Sequence, residues 1–250
     1  MHRMTGNTEV NVYTSPMHLS LILPCYNEEP NVEETVRACQ KWMKKEGIDG
    51  EIIAVNDGSK DGTQEVLETL QKEILNLVIV RHEVNLGYGS AVRSGCDKAT
   101  QEYVAYMDSD GQFNPEDFGQ LLPFLNEYDF VTGRRLKRAD PFIRRINAKL
   151  FALLNFFVLG IWVRDINCAM KVWKRSLWPT IRPTFSTGAL INAEMFYRMQ
   201  QNGIRWKQVM VHHYPRLRGT QTGANLQVIL RMFTDLFKLK KAGMNTKTRM

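Results

Sequence analysis

Two aspartates one residue apart, Asp108 and Asp110 in the run YVAYMDSDGQF, are the side chains in this 250-residue chain best suited to chemistry. In an extended segment, residues two apart project to the same side, so both carboxylates can face one cation. Gly111 follows where the backbone can turn, and Gln112 offers an amide oxygen two residues further on. Hard oxygen donors suit Mg²⁺ or Mn²⁺, which complete their shells with water and substrate phosphates. Asp, Ser and Gly are also ordinary turn formers, so this spacing alone describes a solvated turn as well. Three further polar clusters share the pattern. Tyr26 and Glu28 offer an aromatic surface and a carboxylate after an apolar run. Asp57, in IIAVNDGSKDGT, is placed to meet a base or ribose, or to cap a following helix. The glycine-rich NLGYGSAVRSG lacks the GxxxxGK[ST] spacing and follows a third strand rather than a first, which excludes a P-loop and a dinucleotide fingerprint.

The elements that must position these residues alternate. Apolar runs predict strands over 18–24, 51–55, 77–80 and 103–107; helical spacing predicts helices over 31–46, 63–74 and 89–99. Such alternation indicates βαβ units and a mainly parallel sheet, whose ligands gather at the carboxyl ends of the strands. Each polar cluster falls at such an end.

Beyond Gly133 the character changes. Residues 1–125 carry 10 Lys/Arg against 20 Asp/Glu, and 126–250 carry 23 against 6. The segment 134–149 alone holds seven basic residues and one acid, and it leads into an apolar stretch, Leu150 to Val163. As a helix that stretch covers roughly 21 Å at ~1.5 Å per residue, short of the roughly 30 Å bilayer core. Residues 225–241 have amphipathic spacing, and 242–250 form a basic tail. A basic half of this kind meets something anionic, or is a solvated face. Nucleic acid is disfavoured, because the aromatics sit in apolar stretches rather than interleaved with the basic residues. The 4 scattered cysteines, with no CxxC pair, read as free thiols. We expect a disordered leader over 1–17, one domain over 18–224, and a terminal amphipathic helix with its tail over 225–250.

Eight segments in order, LSLILPCYNEEPNV, EIIAVNDGSKDGT, NLGYGSAVRSG, YVAYMDSDGQF, VTGRR, RDINCAMKVWKR, INAEMFYRM and HHYPRLRGTQTG, resemble glycosyltransferase family 2 over about residues 18–223. The likeness is strongest to the dolichyl- and polyprenyl-phosphate sugar transferases. It implies a GT-A-type α/β fold and an inverting transfer of a hexose from a nucleotide-sugar donor of the GDP-mannose or UDP-glucose type. Pro24, Tyr26, Glu28 and Asp57 would line the base, and Asp108 would lie by the ribose and diphosphate. Asp108, Asp110 and Gln112 would hold Mg²⁺ or Mn²⁺. Arg135, Arg145 and Arg216 would clamp the phosphate of a polyprenyl or dolichyl acceptor, with the protein peripheral on the cytoplasmic face of a membrane. The family's usual pair of acids before Gly-Ser is here Asn56-Asp57, and Tyr88 stands where many members carry a basic residue. A dianionic phosphate needs no general base. A hydroxyl acceptor on a soluble glycan would need one, for which Asp165 and Glu194 are the candidates. A non-catalytic membrane-recruitment module is the third reading, disfavoured by the intact Asp108 and Asp110.

Overall fold

A computed structural model describes residues 17–136, 142–186, 188, 190–219 and 235–241, with the backbone alone for 142–149. The first half follows the predicted alternation: β1 (His18–Cys25), α1 (Glu29–Lys45), β2 (Asp49–Asp57), α2 (Thr63–Glu73), β3 (Leu77–His82), α3 (Tyr88–Lys98) and β4 (Tyr103–Tyr106). The second half adds α4 (Phe118–Leu121), β5 (Phe130–Arg135), α5 (Phe142–Leu159), β6 (Lys171–Lys174), α6 (Trp178–Ile181), α7 (Ile191–Gln201) and β7 (Trp206–Val211). Together the strands form one seven-stranded sheet in the order β3-β2-β1-β4-β6-β5-β7.

Local chemistry accounts for the elements. Leu19, Leu21, Ile22 and Leu23 of β1 are all fully buried, as a central strand covered on both faces requires. Each contributes roughly 1.5–3 kcal/mol through removal from water. α1 starts with Pro30 in its first turn, ends with Lys44 and Lys45 against the negative end of its dipole, and buries Val32, Val36, Cys39 and Met43 along one stripe. α3 lies close against β1 and β2 because residue 95 is glycine; a Cβ there would stand 2.4 Å from Ile22 Cγ2.

β1 pairs in parallel with β2 and β4, and β2 with β3. β6 is antiparallel to both β4 and β5, while β5 and β7 are parallel. Two reversals therefore restore the direction, and β5 and β7 run the same way as β4. The carboxyl ends of six strands, and the segment 165–170 that enters β6, all reach one edge of the sheet. The chain order turns around between β1 and β4, the kind of switch point where open α/β sheets bind ligands. Asp108 follows β4 there. Among the described residues no helix is long and apolar enough to cross a membrane. The leader over 1–16 and the helix start over 225–234 lie outside the described residues; Met17 is buried, and 235–241 are helical with Leu236 and Leu239 buried.

Candidate active site

Asp108 and Asp110 sit together at the switch point, and both carboxyls are perturbed. Burial, and then the neighbouring Asp110 charge, raise Asp108 to about 7. Burial also raises Asp110, against the backbone amide of Gln112 and the Arg216 guanidinium, which lower it. Ser109 points the other way and donates to Pro24 O at 2.7 Å, fixing this loop to the end of β1. Tyr88 lies beside Asp108, and its hydroxyl works against the rise that burial causes there. The phenol therefore serves a carboxylate at the position where a basic side chain is common in the family.

Two buried carboxyls side by side, the charge of one raising the pKa of the other, are the observation favouring a cation. Gln112 is compatible with it: the side-chain amide donates through Nε2 to Tyr214 O at 3.0 Å, so Oε1 is the atom it could offer a cation. Among the described residues no group of three or more His, Cys, Asp or Glu side chains could hold a metal. An oxygen set of two carboxylates and one amide fits Mg²⁺ or Mn²⁺ sharing a substrate diphosphate, and fits poorly an all-protein cage.

The loops beside the aspartates are tied by hydrogen bonds of side-chain amides, a hydroxyl and one carboxylate. Asn27, at φ 55° in the left-handed region, receives Lys60 N on its side-chain oxygen and donates its own N–H to Ser59 Oγ. The turns after β1 and β2 are thereby joined. Asn56 accepts from Ser59 N at 3.0 Å and donates to Gln64 Oε1 at 2.7 Å. Both a donor and an acceptor are used, so an amide serves where the family often has an acid. Asp57 is a hub. Its Oδ1 meets His82 Nδ1 at 2.7 Å and accepts from Leu86 N, while Oδ2 accepts from Gly87 N, both at 2.9 Å. Thus Asp57 builds the loop following β3. Gly58, at φ +67°, has no room for a Cβ, which would lie 2.4 Å from Val84 C. Pro24 is buried, and Tyr26 is half-buried at the mouth.

The basic half arrives from β5, β7 and the turn at 165. Asp165 accepts from Arg135 three times, from the backbone N at 3.0 Å, Nε at 2.8 Å and Nη2 at 2.7 Å. This bidentate fork holds the guanidinium plane in a fixed orientation. Glu194, the other candidate base, is fully buried and accepts from the backbone N–H groups of Thr184, Phe185 and Ser186 and from Arg198. Burial pushes its pKa up, but these donors outweigh it and leave the carboxyl below its usual range. Its environment is that of an anchor for the loop over 183–186. Arg145 is helical by backbone, and its side chain lies outside the described residues.

Three features were not foreseen from sequence. Arg216, expected beside an acceptor, bonds both Oε1 and Oε2 of Glu28 at 2.9 and 2.8 Å and approaches Asp110 Oδ2 at 3.3 Å. His82 sets Asp57 from one side while its Nε2 meets Ser94 Oγ at 2.9 Å. Lys171 is fully buried, donates to Cys168 O and Ile166 O, and lies over the Tyr106 ring. It fixes the turn carrying Asp165, and burial lowers its pKa to about 8. A lysine inside the apolar run CAMKVW was the available signal for this last one.

Comparison with known families matches Glycosyl transferase family 2 over residues 20–202, most of the chain. The chain belongs to that family. A similar curated protein is the undecaprenyl-phosphate 4-deoxy-4-formamido-L-arabinose transferase of Pseudomonas fluorescens, 27% identical over 87% of this chain and 64% of its own length. Another is a dolichyl-phosphate beta-glucosyltransferase of Trichomonas vaginalis, 29% identical over 68% of this chain and 58% of its own. The chain thus spans about 60% of the length of these relatives. Among solved structures, glucosyl-3-phosphoglycerate synthase from Mycobacterium tuberculosis, with Mn²⁺, uridine diphosphate and glucosyl-3-phosphoglycerate bound, superposes with a TM-score of 0.69. That match covers 90% of this chain and 80% of the synthase at 16% identity, a likeness of fold. The family-2 chain thus has the GT-A-like sheet expected from its motifs.

Proposed function

We propose that this family-2 chain transfers a hexose, with inversion, from a nucleotide-sugar donor to a polyprenyl or dolichyl phosphate at a membrane surface. The observation that carries the choice of acceptor is the commitment of both candidate bases. Asp165 is spent on Arg135, and Glu194 on three backbone amides and Arg198. A hydroxyl nucleophile would find neither ready to take its proton. A phosphate monoester, with a second pKa of about 6, brings its own negative oxygen. The Arg135 guanidinium, oriented by Asp165, is the cation that would meet it.

In this reading Asp108, Asp110 and Gln112 would hold Mg²⁺ or Mn²⁺. The cation supplies Lewis-acid stabilisation of the departing nucleotide. Asp57 and His82 shape the loop that faces the base, with Pro24, Tyr26 and Glu28 around it. The acceptor oxygen forms the new bond to the anomeric carbon as the bond from that carbon to the diphosphate oxygen breaks. The nucleoside diphosphate carries away the electron pair. GDP-mannose and UDP-glucose are the donor types to try first; the two relatives named above act on lipid-linked phosphates by their names.

Membrane contact is assigned to the face presenting Leu150, Leu153, Phe157 and Trp162, exposed at 55%, 45%, 71% and 61%. The first three recur at helical spacing on α5, with the basic segment before them, an arrangement suited to an anionic interface. We place the protein on the cytoplasmic face, as a peripheral component. The test is incubation with labelled nucleotide sugar, Mn²⁺ and polyprenyl phosphate. Label extractable into organic solvent is expected. Label found only on water-soluble acceptors would overturn the lipid-phosphate reading and return the hydroxyl acceptor.

A further inference from the structure

Arg216 is placed against the cation site, on the donor side of the cleft. Its side chain is only 10% exposed, and all three of its nitrogens are engaged. Nη2 bonds both Glu28 oxygens, Nη1 faces Asp110 Oδ2 at 3.3 Å, and Nε donates to Arg218 O at 2.8 Å. A guanidinium at that distance from Asp110 puts positive charge where a divalent cation's charge belongs. Both cannot share the carboxylate closely, because like charges a few ångströms apart repel strongly at low dielectric.

The segment carrying it lies as a strap between two anchors. At one end Tyr214 N donates to Gln112 O at 2.9 Å, and Gln112 Nε2 returns a bond to Tyr214 O. At the other, Asn31 Nδ2 reaches Arg218 O at 3.4 Å, and Arg218 Nη1 reaches Pro30 O at 3.1 Å. Gly219, at φ +76°, makes the parked position feasible; a Cβ there would stand 2.7 Å from Arg216 Nη2. Between the anchors Leu217 is 90% exposed, so the strap has no apolar grip on the site. Polar contacts alone hold it down, and the Arg216 pairs are the charged ones that face the aspartates.

We propose that Arg216 is a removable stand-in for the cation: Glu28 parks it on Asp110, and the arriving divalent cation displaces it. The proposal rests on the cation site of the reading above. Glu28 acquires a positioning role as the parking carboxylate.

Mn²⁺ alone, titrated into the protein and followed by the loss of the free-ion electron paramagnetic resonance signal, tests it. A binding-competent state populated in about one molecule in ten weakens apparent affinity about tenfold. Arg216→Ala should therefore tighten Mn²⁺ about tenfold, and Glu28→Gln about threefold. The second sign is decisive. Loss of a nearby negative charge weakens cation binding by simple electrostatics, whereas loss of the parking site strengthens it. Mn²⁺ should also speed hydrogen exchange at the amides of 216–219 in the wild type, and that measurement decides the matter should either variant fail to fold. Weaker binding by Glu28→Gln, or slower exchange as a closing lid would give, would overturn the latch while leaving the cation site intact. Absence of Mn²⁺ binding in every form, with nucleotide diphosphate present, would remove the cation site itself and both readings with it.

Discussion

The two sides of the cleft are built from different interactions. On the donor side, turns are joined by short neutral or amide-directed bonds: Asn27 to Ser59 and Lys60, Asn56 to Ser59 and Gln64, Asp57 to the amides of Leu86 and Gly87. From the basic half, arginines enter the cleft held by carboxylates, Arg135 by Asp165 and Arg216 by Glu28 and Asp110. The first kind of contact ties one turn to another, across 29 to 33 residues of chain at Asn27 and Asp57, and leaves the shape ready for one ligand. The second holds long cationic side chains in pairs that can exchange one anion for another. A nucleotide of fixed shape suits the first; a phosphate on a mobile lipid suits the second. The charge split of the sequence, 20 acids against 10 bases and then 6 against 23, is the linear trace of that division.

If the two sides act separately, Arg135→Ala should raise KM for the lipid phosphate about a hundredfold, the loss of a charge-assisted bidentate contact worth about 3 kcal/mol. Donor affinity, measured by calorimetry, should stay as it was. Comparable losses in both would break the division. Asp165→Asn sharpens it further. As the partner that orients Arg135, Asp165 should affect KM about tenfold and leave the pH profile of kcat unchanged. A loss of the acidic limb of that profile would make it a base.

The donor side was the more legible in sequence because its chemistry sits immediately after strands whose apolar runs are unmistakable. The strand over 18–24 needed only a continuous apolar run, and the aspartates after β4 a period of two and a glycine. What the sequence left hidden was long-range. The strands β5, β6 and β7 are four to six residues long, and β6 runs against its neighbours. The apolar run CAMKVW hints that Lys171 is buried but not that it lies over Tyr106, and nothing local announces that Arg216 will cross 188 residues of chain to meet Glu28. Pairings of that separation are decided by topology, which a single sequence shows only through its motifs. Asp165 and Glu194 illustrate the same limit: their residue type suits a base, and their partners make them anchors.

Smaller effects follow at the membrane and in the aspartate pair. Phe157→Ser with Trp162→Ser should weaken binding to vesicles containing anionic lipid about fivefold to tenfold, given the apolar area withdrawn. Soluble donor binding should not change, and equal vesicle binding by the double variant would place the interface elsewhere. Asp108 supplies a test of sign. Its carboxyl is raised to about 7, so between about pH 4 and 7 the folded protein holds a proton that the unfolded chain has released. Without metal, stability contributed at this position falls as pH rises through that window. Asp108→Asn lacks the titration, so its Tm should gain on the wild type between pH 5 and pH 8. A gap that stays constant would place the strain elsewhere.

The most direct measurement is calorimetry of a nucleotide sugar with and without Mn²⁺, on the wild type and on Asp110→Asn. The cation should tighten donor binding to the wild type and make no difference to the variant. Equal affinities for both proteins, with or without the metal, would contradict a donor diphosphate held through a cation on Asp108 and Asp110.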